Sequence, residues 1–113
     1  MNRDPSYLLD IAKFAQTIIE FTANMSEAEF ESDRRTQLAV LYEITIIGEV
    51  VKRLSDEFRS QHPRIEWRQI SGMRDRLVHD YDEVRISIIW QVVKNNIPEL
   101  LAYIMPLLPT EES

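Results

Sequence analysis

Apolar residues recur at helical spacing almost from the start of this chain. Leu8, Ile11, Ala12, Ala15, Ile18, Ile19 and the pair Phe21–Thr22 repeat near a 3.6 period, which marks the buried face of a first helix. Asp4 stands where it can cap that helix, and Pro5 suits its first position, where a missing N–H costs nothing. Asn24 offers a stop. In the stretch SEAEFESD, Ser26 and Glu29 have the spacing of a capping box that opens a short helix. From Arg34 the pattern lengthens. Leu38, Leu41, Ile44, Ile47 or Gly48, Val51 and Leu54 form a stripe, and Val40, Ile46 and Val50 widen it. This predicts a central helix buried on more than one face. Gly48 inside it costs about 1 kcal/mol against Ala, and a close helix contact would explain that cost. Ser55 is placed to cap a short continuation, SDEFRSQ, ended before His62-Pro63.

Residues 66–80 read as a further helix through Trp67, Ile70, Met73 or Arg74, Leu77 and Val78. Val84, Ile88, Ile89, Val92 and Val93 mark the next. Asn96 can cap a last set of turns with Pro98 near its start, carrying Leu100, Leu101, Ile104 and Met105. Alternatively, Pro98 kinks one continuous helix. The tail at 109–113 is expected to be loose. No window alternates with period two, and neither a Gly-rich phosphate loop nor an internal repeat occurs. The expected fold class is all-α, an antiparallel four- to five-helix bundle, with residues 1–113 as a single domain.

Composition narrows this little, but charge changes the picture. There is no cysteine, which removes disulfides and thiolate metal sites and suits a cytoplasmic location. The N-terminus lacks a basic stretch followed by an apolar one, and no apolar run approaches the length of a membrane span. The net charge of −6 taken alone argues against nucleic-acid binding. Its distribution argues otherwise: Lys52 to Arg76 holds seven basic and four acidic residues, +3, and the remainder is −9.

That basic segment runs into GMRDRLVHDY at 72–81, which holds one of the chain's two histidines. Asp75 and His79 are i,i+4 and share a helix face, so Asp75 can orient the imidazole for acid–base work. Arg74 and His79 are i,i+5, about 140° apart on an ideal helix. Either the helix loosens near His79, or two copies of the motif meet across a two-fold dimer. Arginine suits phosphate oxygens and histidine moves protons. Together they suit cleavage of a phosphodiester by an internal nucleophile such as the RNA 2′-OH. No metal is required, and His62 and His79 lack metal-ligand spacing. Against this stands an ordinary surface, with Arg76 and Asp80 as an i,i+4 ion pair, Tyr81 as a half-buried aromatic, His62 as part of a turn, and Trp67 and Trp90 as packing residues.

RDRLVHDY resembles the R-x4-H-x-Y signature of the HepT-like toxins, within the HEPN group of small helical ribonucleases. IGEVVKRLS at 47–55, HPRIEWRQISGMRDRLVHDY at 62–81 and IIWQVVKNNIPEL at 88–100 extend the likeness over most of the chain. The resemblance implies a HEPN-like homodimer whose motifs face one cleft. It implies a metal-independent endoribonuclease, the toxin of a type VII-like toxin–antitoxin pair. An MntA-like minimal nucleotidyltransferase antitoxin would silence it by transferring AMP to the motif tyrosine. By position, Arg74 and His79 are then the catalytic pair, Asp75 the supporting residue and Tyr81 the modification site. No cofactor is implied, RNA is the substrate, and no membrane is involved. The competing readings are a non-catalytic helical protein that binds a nucleotidyltransferase or nucleotide, and an RNA-binding protein that does not cleave.

Overall fold

A computed structural model describes residues 2–109 of the chain. Except for Pro109, the tail expected to be loose lies outside them. Helix α1 spans Asp4–Thr22, α2 Glu27–Ser32, α3 Arg34–Arg53, α4 Asp56–Gln61, α5 Trp67–Asp80, α6 Ile86–Gln91 and α7 Ile97–Ile104. A 3-10 turn, Tyr81–Glu83, leaves α5, and a π turn, Val92–Asn96, joins α6 to α7 in one helical run. The described residues form no strand.

Four long rods build the bundle: α1, α3, α5 and the α6–α7 run. Asp4 at the start of α1 meets Ser55 just past the end of α3, so these two rods are antiparallel. Lys94 reaches the end of α1 at Thr22, and Tyr103 reaches His62 at the opposite end, so the last rod also runs against α1. The short helices α2 and α4 cover the ends. The expected antiparallel helical bundle is the fold observed. Ile11, Ala15 and Ile18 of α1, Val40, Ile47 and Val51 of α3, and Ile104 of α7 are almost wholly shielded from solvent. Burial of each such aliphatic side chain is worth about 1.5–3 kcal/mol for the larger ones.

Several caps form as the sequence predicts. Ser26 and Glu29 exchange both bonds of the capping box, at 3.1 and 2.9 Å. Ser55 Oγ accepts from the Phe58 N–H at 3.0 Å and starts α4. Other expectations are overturned. Asp4 does not cap α1: it lies inside the first turn, and Asn2 Oδ1 accepts its N–H. Its buried carboxylate instead accepts from the Ser55 N–H at 2.9 Å and the Ser55 hydroxyl at 2.6 Å. Leu38, placed on the central stripe, is exposed, and Gln37 is buried in its stead. The Gln37 amide donates to the Phe30 and Glu31 carbonyls at the end of α2, where the Phe30 carbonyl also accepts from the Asp33 N–H. Asn96 caps nothing, because it has helical dihedrals inside a continuous run. Pro98 is accommodated by the π turn just before it, which widens the backbone where the proline ring would meet an upstream carbonyl.

Candidate active site

The position of Arg74 follows from how α5 is pinned. Trp67 is buried at its start, with the indole N–H donating to the His62 carbonyl at 2.9 Å and the ring edge-on to Phe58. Leu77 is buried nearer its end. These anchors fix the rotation of the helix and turn Arg74 toward α3. There it lies on Gly48. A Cβ at Gly48 would fall 2.3 Å from Arg74 Cβ and 3.0 Å from its Cγ. The close contact that Gly48 predicts therefore exists, and its partner is the motif arginine.

Carboxylates hold the guanidinium from two sides. Arg74 Nη1 donates to Asp75 Oδ1 at 2.9 Å. Arg74 Nε lies 2.9 Å from Glu49 Oε2, close enough for an ion pair, but its N–H points off the oxygen and makes no hydrogen bond. The hydrogen bond to Asp75, aided by the Glu49 and Asp75 charges against partial burial, raises the arginine above its ordinary pKa. Lys52 Nζ donates to the same Asp75 Oδ1 at 2.5 Å. Lys52 first, then Arg74, holds Asp75 below the usual carboxylate range. The Asp75 carboxylate thus bonds to Lys52 and Arg74, and no side-chain hydrogen bond joins it to the His79 ring.

The helix does not loosen before His79. Regular structure continues to Asp80, where φ −137° and ψ 39° break it, and the 3-10 turn begins at Tyr81. Arg74 therefore faces α3 while His79 is exposed roughly 140° around the axis. The His79 side chain makes no hydrogen bond among the described residues. Tyr81 is 59% exposed rather than half-buried, with Asp80 and Asp82 exposed on either side. Arg76 and Asp80 make no ion pair among the described residues. The exposed apolar side chains Val78 and Tyr81 belong to this end of α5, and Leu38 and Tyr42 are exposed on α3, the helix that α5 packs against.

The other candidates are structural. His62 ends α4, with Nδ1 2.8 Å from the Tyr103 hydroxyl and its ring against Phe58. Trp90 packs on Phe30, with the Lys94 ammonium over its ring. No three His, Cys, Asp or Glu side chains cluster as metal ligands among the described residues, and none of the described helices is long and apolar enough to cross a membrane. Sequence reasoning missed Glu49 and Lys52. The neighbouring Gly48 was the nearest signal, but nothing in the sequence tells which residue fills its gap.

Arg74 is a cationic fork of the kind that suits a phosphate and His79 an exposed imidazole of the kind that moves protons, but within one copy they face different sides of α5, with Tyr81 exposed beyond them. The model of the family described as ribonuclease HepT-like matches residues 11–107. A protein of Thermococcus cleftensis, named as a probable ribonuclease HepT, is 42% identical over 94 residues, covering 83% of this chain and 86% of its own length. One of Caldanaerobacter subterraneus subsp. tengcongensis, named as a candidate RNase, is 37% identical over 106 residues, covering 94% and 95%. Another candidate RNase, from Methanocaldococcus jannaschii, is 38% identical over 93 residues, covering 82% and 77%. No solved structure matches the chain. With a family match across most of its length and relatives this similar, the chain belongs to the HepT-like ribonuclease family.

Proposed function

We propose that the chain is a metal-independent endoribonuclease that acts as a homodimer, with Arg74 and His79 of both copies in one cleft. One observation carries this reading: α5 stays regular through His79, so Arg74 and His79 of one copy face different ways. A single copy does not bring both to one phosphate, whereas a two-fold axis beside this end of α5 does. The exposed Val78 gives such a contact apolar surface.

In the cleft, one His79 takes the proton of the RNA 2′-OH, and that oxygen attacks the adjacent phosphorus. The bond to the 5′ oxygen breaks, and the second His79 returns a proton to the leaving oxygen. A 2′,3′-cyclic phosphate and a 5′-hydroxyl result. Arg74, already oriented by Asp75 and Glu49, meets the charge on the phosphorane without reorganising. Asp75 supports the site through the arginine. Tyr81 is the regulatory residue. An MntA-like nucleotidyltransferase would let its hydroxyl attack the α-phosphorus of ATP, with pyrophosphate leaving. The AMP so attached would put an anion and a bulky base two residues from His79. The pair would then be a type VII-like toxin and antitoxin.

His79→Ala tests this. The variant should remain folded and dimeric while cleavage of RNA falls by about 10²–10⁴-fold, the usual share of acid–base catalysis. Cleavage at the parent rate would remove His79 from the mechanism. A second reading, a non-catalytic partner-binding protein, draws on the engagement of Arg74 with two carboxylates and on the net charge of −6. RNA cleavage by the purified protein alone excludes it.

A further inference from the structure

The chain has two glycines, both inside helices, and only one is explained by the fold. Gly48 makes room for Arg74. Gly72 makes room for nothing: a Cβ there would meet no atom within 4 Å, and its φ is not positive. Neither space nor backbone conformation within the subunit asks for glycine, the weakest ordinary helix former. Glycine also serves where a ligand must approach the backbone closely.

The surroundings of Gly72 say what approaches. Arg68, Asp75 and His79 stand at i−4, i+3 and i+7 from it and form one stripe along α5. Arg68 and His79 are exposed, and neither makes an ion pair or side-chain hydrogen bond among the described residues. Arg76, at the edge of the stripe, is exposed and unpaired in the same sense. The one carboxylate in the stripe, Asp75, is already engaged by Lys52 and Arg74. The stripe is thus polar and cationic. A helix of a second copy packed on Gly72 would need apolar neighbours there, and the exposed Val78 is six residues on, on another side of α5.

We propose that the sugar–phosphate backbone of single-stranded RNA crosses α5 over Gly72, held by Arg68 and led to His79. Arg68 and His79 are about 16 Å apart along the helix, so Arg68 holds a phosphate beyond the scissile one. This rests on the ribonuclease reading and adds to it the path of the strand. The glycine lets the strand lie against the helix backbone, where a methyl would lift it.

The test is binding of a fluorescent single-stranded RNA to the full chain carrying His79→Ala, which leaves the RNA uncut. Adding Gly72→Ala should raise the unfolding temperature by roughly 4 °C and weaken binding about tenfold, since even a 1 Å displacement at such a site is costly. Adding Arg68→Gln should reduce the slope of log affinity against log salt by about 0.7, the loss of one phosphate contact to a single strand. Unchanged affinity in Gly72→Ala, or an unchanged salt slope in Arg68→Gln, overturns the path. So does dissociation of the assembly by Gly72→Ala, which would assign the glycine to a protein contact. Failure of the parent reading looks different: the wild type would bind RNA and leave it intact, with the Gly72 and Arg68 effects still present.

Discussion

Gly48→Ala is the substitution on which the account of the site depends most directly. A new Cβ would lie 2.3 Å from Arg74 Cβ and 3.1 Å from the Ile70 carbonyl oxygen. Carbon atoms in contact settle at about 3.5–4.0 Å. The deficit is therefore above 1 Å, and both Cβ atoms are fixed to helix backbones, so no rotamer change relieves it. Helix α5 must move away from α3. Overpacking of this kind costs about 3 kcal/mol at the upper end of its usual range. Replacing a helical glycine by alanine returns about 1 kcal/mol. The net loss of about 2 kcal/mol corresponds to an unfolding temperature roughly 8 °C lower for a chain of this size. The same displacement shifts Arg74 against Glu49 and Asp75, and a 1 Å error in a positioned group costs about 10²-fold in rate. Thermal unfolding and initial rates of RNA cleavage read the two effects separately. A Gly48→Ala protein as stable and as active as the parent would refute the packing of the motif arginine on α3.

Two further outcomes are expected. Asp4→Ala should cost about 1–3 kcal/mol, because it leaves the part-buried Ser55 N–H and hydroxyl without their acceptor; a urea midpoint that falls with unchanged slope would show it, and an unchanged midpoint would deny it. Lys52 and Arg74 hold the Asp75 carboxyl below its ordinary value of 3.8, so the stability it contributes is present above that value and is lost as pH falls through the lower folded value. Asp75→Asn should consequently flatten the acid limb of the stability profile below about pH 4, and an equally steep limb in that variant would contradict the pairing.

The bundle was legible because its rods carry long periodic stripes and its short helices carry strong caps, at Ser26 and Ser55. What escaped were choices made between segments distant in the chain. Asp4 has the sequence of a local cap, yet folding brings Ser55 closer, and the carboxylate serves that end instead. Leu38 and Gln37 compete for one rotational position, and the carbonyls in the last turn of α2, which only an amide can bond, decide for Gln37. In the site, spacing left open whether α5 loosens to bring Arg74 and His79 together, and the regular helix decides that they diverge. Asp75 could not be assigned the same way. Its i,i+4 relation to His79 and its adjacency to Arg74 were equally local, and Lys52, 23 residues earlier, selects the arginine side.

The π turn at Val92–Asn96 has a consequence for how this chain can vary. It stores one extra residue in a helical run, and each residue advances a helix by about 100°. Trp90 before the turn faces Phe30, while Ile97, Leu100 and Ile104 after it are buried in the core. The wider turn absorbs that residue, so both halves of the last rod keep their apolar sides toward the core. A chain one residue shorter here would close into an unbroken α-helix with the same faces inside, and would lose only the relief that the turn gives Pro98. A one-residue deletion is therefore better tolerated at this point than elsewhere in the rod, where it would rotate all that follows by about 100°.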